Sequence, residues 1–311
     1  MIFVLCANPA LDRLLVLDEV VLDEVHRARD VTVTPGGKGV NVARAIHRAG
    51  GKAKLLLFLG GRVGEIMVES LRRENLDFLF WPLWEETRIT TVLHEEKTRR
   101  HTVINEPGPL VPLAQAVQCL RFLEEYLGEG DYLILSGSLP RGLRVDFYAE
   151  CARRVSGKGV RVVVDTSGEP LRRALQNPLF MVKPNVKEAE EVLGFPIRSF
   201  EDKLRAVALF EEKGVACVVL SDGPRGIVAS WKGERWSVRL KEAVHGEYFI
   251  GSGDTLVGVL VLRLSQGVPF AEALRFATAC GLANTFSRGA GVFDPAVVPR
   301  CLEAVVVEPI P

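Results

Sequence analysis

Residues Gly246 to Gly258 run Gly-Glu-Tyr-Phe-Ile-Gly251-Ser252-Gly253-Asp254-Thr255-Leu-Val-Gly258, an apolar segment leading into paired glycines and then an acid that opens a long apolar helix. Paired glycines let the backbone approach a bound group closely. The first free N–H groups of the following helix point at that group, where the positive end of the dipole favours an anion. Asp254 at this place has two readings. It complements the dipole of its own helix, or it is a general base that takes a proton from a hydroxyl while the amides of Gly251, Ser252 and Gly253 hold a developing negative charge. The latter reading is a phosphate-transfer site in outline.

Pro35-Gly36-Gly37-Lys38-Gly39-Val40-Asn41-Val42-Ala43-Arg44 is another glycine-rich entry to a helix. It departs from the P-loop pattern, because Lys38 is followed by glycine rather than Ser or Thr and the upstream glycine is missing. It is either a plain turn or a place where close backbone approach and the Asn41 amide grip sugar hydroxyls while Lys38 supplies charge to a phosphate. A dinucleotide fingerprint is ruled against, since Gly251-x-Gly253-x-x-Leu256 lacks the third glycine. Asn8-Pro9-Ala10-Leu11-Asp12 follows the first apolar run, where open α/β sheets bind ligands, although Asp12 alone reads as a turn residue. Asn185 followed three residues later by Glu188 has the spacing of a helix capping box, which chemistry can share. Ser136-Gly137-Ser138-Leu139-Pro140 and Ser221-Asp222-Gly223-Pro224-Arg225-Gly226 again place small residues after apolar runs. Four strand ends in all carry such turns, and their convergence on one edge would build a site.

The elements that must position these turns are legible as alternation. Apolar runs at Ile2–Cys6, Lys54–Leu59, Tyr132–Leu135, Val160–Val164, Phe180–Val182 and Ala216–Leu220 are separated by helical patterns. Runs apolar on both faces between helices predict a parallel sheet covered on both sides. Helices are expected at Gly39–Ala49, Glu65–Glu74, Pro112–Leu127, Asp146–Ser156, Lys187–Leu193, Phe200–Lys213, Asp254–Gln266, Phe270–Ser287 and Pro295–Ala304. Leu11–Thr34 and Thr87–Asn105 break the rhythm. Both are rich in β-branched residues, and Thr87–Asn105 has the pattern of a hairpin around Glu95-Glu96-Lys97, so together they read as a small separate sheet at an edge, where a lid would lie.

Composition limits the partners. Lys and Arg number 39 against 39 Asp and Glu, so no global field draws this chain to nucleic acid or a membrane, and any anion must be met by local charges. The six scattered cysteines show neither C-x-x-C nor zinc spacing and read as reduced core residues of a cytoplasmic protein. The longest apolar stretch, Leu256 to Leu264, is interrupted and too short to span a bilayer.

Taken together, Gly36-Gly37-Lys38-Gly39-x-Asn41-x-Ala43-Arg44, Ser136-Gly137-Ser138-Leu139-Pro140, Lys183-Pro184-Asn185-x-x-Glu188 and Gly251-Ser252-Gly253-Asp254 resemble the ribokinase-like PfkB carbohydrate kinases over essentially the whole chain. Asn8-Pro9-Ala10-Leu11-Asp12, Lys38, Thr87-Arg88 and Thr102-x-Ile104-Asn105-x-x-Gly108-Pro109 are similar to the phosphosugar branch. The resemblance implies one α/β domain over 1–311, a three-layer α/β/α sandwich with a mostly parallel central sheet and a β-sheet lid from 11–34 and 87–105. It implies ATP-dependent phosphorylation of a sugar phosphate, with fructose 1-phosphate favoured and fructose 6-phosphate or tagatose 6-phosphate as alternatives. A kinase of another small alcohol and a non-catalytic sugar-phosphate sensor are more distant readings, the sensor opposed by Asp254. Residue by residue, it makes Asp254 the base and Gly251, Ser252 and Gly253 the anion hole. Asp12, Gly36, Gly37 and Asn41 would hold the sugar, and Lys38 and Arg88 its existing phosphate. Lys183, Asn185 and Glu188 would serve ATP phosphates and hydrated Mg²⁺, Glu188 through water. Ser221, Gly223 and Gly226 would lie along the nucleotide, with adenine near Ala279–Ser287. The resemblance also implies a homodimer paired through the lids.

Overall fold

The computed structural model describes residues 1–242 and 246–311. Its main sheet has ten strands, in the order β14-β13-β12-β11-β10-β9-β8-β1-β4-β5. The parallel part comprises β1 (Ile2–Cys6), β4 (Lys54–Gly60), β5 (Asp77–Leu83), β8 (Tyr132–Ser136), β9 (Arg161–Asp165), β10 (Leu179–Val182) and β11 (Val215–Ser221). Side chains of a strand alternate between faces, and β1 shows why these runs are apolar throughout. Ile2, Val4 and Cys6 enter one core with helices α1 (Lys38–Arg48), α8 (Ser252–Ser265) and α9 (Phe270–Asn284), whereas Phe3 and Leu5 enter the other with α3 (Leu113–Tyr126), α4 (Phe147–Arg154) and α7 (Phe200–Glu212). The result is the expected α/β/α sandwich.

Every expected strand and helix is present, with ends displaced by a few residues. Several elements escape the sequence reading. The antiparallel edge comprises β12 (Ile227–Trp231), which is almost wholly buried but short and interrupted by Ser230, and β13 (Glu234–Leu240) and β14 (Val305–Ile310), which are partly exposed and do not form continuous apolar runs. The strand β5 carries Pro82, tolerated because this strand is the outer edge of the sheet. A further helix, α5 (Gly168–Ala174), is only seven residues long and contains Pro170.

The interruptions form the separate sheet that was expected. β2 (Ala10–Leu17) pairs in parallel with β6 (Arg88–Glu95), β3 (Asp30–Gly36) joins β2 antiparallel, and β7 (Arg100–Asn105) closes the hairpin with β6. Its register sets Asp12 opposite both Thr34 and Thr90, and Thr90 opposite Asn105, so these polar residues share one row of one face. This sheet touches the body through the stacked rings of His94 and His101, centroids 4.5 Å apart, against Tyr248, and through a 2.6 Å ion pair from Arg288 to Asp30. Among the described residues, no helix is long and apolar enough to cross a membrane, and the six cysteines are buried and free.

Candidate active site

Strand order reverses between β1 and β8: β1, β4 and β5 advance one way, and β8 to β11 the other. Loops leaving two such strands part company, which opens a crevice at their carboxyl ends. The turns singled out in the sequence leave this edge, from β1 (Asn8–Asp12), β8 (Ser136–Pro140), β10 (Lys183–Glu188) and β11 (Ser221–Gly226).

Two helices add their N-termini. Gly251 caps α8 in the left-handed conformation, φ 85°, and a Cβ there would stand 2.6 Å from Ala290 Cα, so a side chain is barred by both backbone and space. The N–H groups of Gly251 and Gly253 have no acceptor among the described residues, while that of Ser252 is engaged at 3.3 Å by the Phe249 carbonyl. The buried Asn284 holds the turn from behind. Its amide donates to the carbonyls of Tyr248 and Ile250 at 3.3 and 3.0 Å and to Ser252 Oγ at 3.4 Å. The stretch 279–287 thus includes a support for the glycine turn, which its sequence did not reveal.

Asp254 stands in the first turn of α8 and is 7% exposed. The Asn41 amide, on the facing helix α1, donates to Asp254 Oδ2 at 2.8 Å. Burial pushes the Asp254 carboxyl up to about 6; the nearby charge of Asp165 adds to the rise, and Lys38, the Asn41 hydrogen bond and Lys183 oppose it. An acid with this surrounding is poised to exchange a proton near neutral pH. Asp12, on the lid strand β2, is also pushed up to about 6 by loss of solvent, against the pull of Arg44 and Arg88. A Cβ on Gly36 would lie 2.0 Å from Asp12 Oδ2, so any side chain there would displace this carboxylate from its position. Gly37 packs over Pro9 and Cys6 at the start of α1.

Asp165 was not singled out in the sequence. It ends β9 with its side chain fully buried, and accepts from Lys38 Nζ at 3.3 Å while Lys183 Nζ lies 3.4 Å from the same oxygen. Burial raises its pKa, but the two ammonium groups outweigh that and hold the carboxyl below its ordinary value. Its other oxygen, Oδ2, is buried without a hydrogen-bond partner among the described residues. The signal that could have found it is the one applied to Asp12, an acid at the carboxyl end of an apolar strand.

Lys38 lies toward these acids, with Glu188 Oε1 at 3.4 Å; the Asp165 charge in first place raises its pKa against the opposing effect of burial. Lys183 reaches the glycine turn, since a Cβ on Gly253 would come 3.3 Å from its Nζ. Asn185 and Glu188 make a full capping box on α6 (Val186–Leu193), both bonds 2.9 Å, and Glu188 spends only Oε2 on it. Capping and the contact with Lys38 therefore coexist. Ser221 bridges to Asn185 across the strand ends, and Gly223 opens onto free space. Gly226 has a packing reason of its own, because a Cβ there would fall 2.0 Å from the Val238 carbonyl oxygen.

On the other flank, the Arg88 guanidinium donates to the Asn8 carbonyl at 3.2 and 3.3 Å and to Asn105 Oδ1 at 3.2 Å. Asn8 in turn donates to Ser138 Oγ at 3.1 Å, and Gly108 passes so close that a Cβ would meet Asn8 Oδ1 at 2.1 Å. A cavity next to Asp12 runs under the lid, lined by Thr34, His101, Tyr248, Ile250 and Ala290. The arrangement thus has three parts: an acid at a helix N-terminus in the middle, a Lys-Asp-Lys-Glu cluster on one side, and Arg88 with lid polar groups on the other.

Comparison with known proteins gives this arrangement a family. Residues 8–296 match the model of the pfkB family carbohydrate kinases. A 1-phosphofructokinase of Bacillus subtilis (strain 168) is 32% identical over 295 residues, 94% of each chain. Phosphofructokinase-2 of Escherichia coli, solved with substrates and products, superposes with a TM-score of 0.92 at 28% identity, covering 97% of this chain and 98% of that one. A possible 1-phosphofructokinase of Thermotoga maritima superposes at 0.90 with 26% identity over 100% and 99%.

Proposed function

The chain belongs to the pfkB family of carbohydrate kinases, phosphotransferases with an alcohol group as acceptor, and from that premise we propose that it transfers the γ-phosphoryl group of ATP to fructose 1-phosphate, giving fructose 1,6-bisphosphate. The observation that carries the reading is Asp254 at the head of α8, one oxygen held by Asn41 and its helix opening on the glycine turn beside Lys183. Asp254 takes the proton of the attacking sugar hydroxyl. Protein groups form no covalent bond in such a transfer, so what they supply is alignment and charge. The N–H groups of Gly251 and Gly253, which have no acceptor among the described residues, and the ammonium of Lys183 face the group in transfer, where negative charge must be accommodated; the Ser252 N–H, expected to be a third donor, is instead held by the Phe249 carbonyl.

Mg²⁺ fits the donor set on the β9 and β10 side. Asp165 Oδ2 is a buried oxygen without a partner among the described residues, and Glu188 stands nearby across Lys38. Both are hard oxygen donors, and no cluster of three or more metal-binding side chains occurs among the described residues, which suits an ion held largely by water and nucleotide phosphates. When bound, it supplies neutralisation of the phosphate oxygens. Asn185, Ser221, Gly223 and Gly226 line the same edge and are assigned to the nucleotide. Asp12, Gly36, Gly37 and Asn41 are assigned to the sugar hydroxyls, and Arg88 to its phosphate. Lys38 bridges the two halves: its turn belongs to the sugar side, while its ammonium leans to Asp165 and Glu188.

The same reading assigns the chain to the cytoplasm and to a homodimer joined through the lids. The outer face of the lid supports the latter, for Val31, Val33 and Ile104 are 47%, 48% and 53% exposed there, an apolar surface that another copy would cover. Fructose 6-phosphate is the next candidate substrate, on the strength of the likeness to phosphofructokinase-2. Coupled ADP release with fructose 1-phosphate, fructose 6-phosphate and tagatose 6-phosphate tests the assignment. Fructose 1-phosphate gives the highest kcat/KM; a higher value for either other sugar overturns it.

A further inference from the structure

Arg44, on α1 one turn beyond Asn41, is 4% exposed and uses every N–H it has. It donates to both oxygens of Glu74 at 2.6 and 3.0 Å, to the Pro35 carbonyl at 2.5 Å, to the Ala290 carbonyl at 2.7 Å and to Asn41 Oδ1 at 3.2 Å. We infer that Arg44 is a positioning residue for phosphoryl transfer, fixing the orientation of the Asn41 amide and, through it, the carboxylate of Asp254. The inference rests on the reading of Asp254 as the general base.

The chemistry of the side chains compels the orientation. A guanidinium has no acceptor, so the Asn41 atom that faces it must be the carbonyl oxygen. The amide NH₂ is thereby turned to Asp254 Oδ2, where it favours the ionised form and leaves Oδ1 for the substrate hydroxyl. With the guanidinium gone, only the Asp254 carboxylate itself still opposes a half-turn of the amide, which would set its oxygen against that carboxylate, so the orientation is less firmly held. The anchors also locate this amide in space: Pro35 ends the lid strand β3, Ala290 packs on Gly251 of the glycine turn, and Glu74 follows α2 (Gly61–Arg73). Arg44 thus ties the end of the lid strand β3 and the glycine turn to the residue that steers the base. A buried cation is a poor choice for stability alone, and lysine could not reproduce a fork of five donors.

The test is the pH dependence of turnover in Arg44→Lys, with Glu74→Gln as a milder variant should the first not fold. Arg44→Lys lowers kcat by about 10- to 100-fold, as misplacement of a catalytic group does. The acid limb of its pH profile moves up by about one unit, the worth of one charge-assisted hydrogen bond. KM for ATP is unchanged, and Glu74→Gln shifts kcat and the acid limb in the same directions by less. In an Asn41→Ala background, Arg44→Lys has no further effect on either, because the route through the amide is already cut. An unmoved acid limb in Arg44→Lys, or in Glu74→Gln if that alone folds, overturns the inference; so does an equal fold-loss with and without Asn41. Asp254→Asn assayed beside them separates the two claims. If it keeps turnover, the base reading fails; if it is inactive while Arg44→Lys behaves as wild type, only the role of Arg44 falls.

Discussion

Of three acids within one crevice, one has been driven apart from the other two by its neighbours. Asp165, between two ammonium groups, is held ionised, whereas burial brings Asp254 and Asp12 up to about 6. Separation of this kind supports the proposed roles, a fixed anion on the nucleotide side and a proton acceptor on the sugar side. If Asp254 is the base, as proposed, activity requires it ionised, so kcat/KM should rise through an acid limb near pH 6 and be level above it; a profile flat down to pH 4.5 would remove the assignment. Arg88 makes a separate claim. Its fork now rests on the Asn8 carbonyl and Asn105, groups that a sugar phosphate would replace or join. Arg88→Ala should raise KM for the phosphosugar at least tenfold with little change in KM for ATP, since a charge-assisted bond to phosphate carries more than about 1.4 kcal/mol. Equal effects on both constants would show that Arg88 is no phosphate anchor.

At the scale of elements, the two readings of Asp254, cap or base, make opposite predictions for α8. Its folded carboxyl has a raised pKa, so between the ordinary value and about 6 the folded chain binds the proton that the unfolded chain has lost. Stability contributed at this site therefore declines as pH rises through that window and stays low above it. Asp254→Asn should accordingly stabilise the protein at pH 7.5 by about 1–3 kcal/mol, an advantage that fades below pH 4. A helix-dipole role predicts instead a loss of about 0.3–1 kcal/mol. Thermal unfolding at both pH values decides between them. Much of this arrangement could be read from the chain. Strands β1, β4, β8, β9, β10 and β11 were legible because burial on both faces makes them apolar throughout, and their end turns because glycine and acids are rare in such runs. The edge strands were harder. β12 and β13 meet at Lys232-Gly233, both with positive φ, a hairpin turn whose dipeptide is an inconspicuous signal. Asp165 was within reach of the rule that found Asp12, whereas the role of Arg44 was not, because it depends on Pro35, Glu74 and Ala290 meeting in space.

At the scale of the molecule, the fold sets a four-stranded sheet over the edge of a ten-stranded body. The lid rests on the body through the His94, His101 and Tyr248 rings and the Asp30–Arg288 pair, near the segment that leads into the glycine turn. Closure on substrate would bring Asp12 and Arg88 to the sugar and exclude water, limiting wasteful hydrolysis of ATP. Amide exchange in 87–105 should slow when fructose 1-phosphate and a nonhydrolysable ATP analogue saturate the protein, and light scattering should report a dimer at micromolar concentration. Exchange unchanged by the ligands would remove the closure, and a monomer would remove the pairing. All of this serves one proposed event, the loss of a hydroxyl proton to Asp254 as the phosphoryl group leaves ATP. The most direct test is turnover of Asp254→Asn with saturating fructose 1-phosphate and MgATP, checked for an unaltered fold and ATP affinity. The account predicts kcat lower by about 10²–10⁴, and a variant that turns over near the wild-type rate would contradict it.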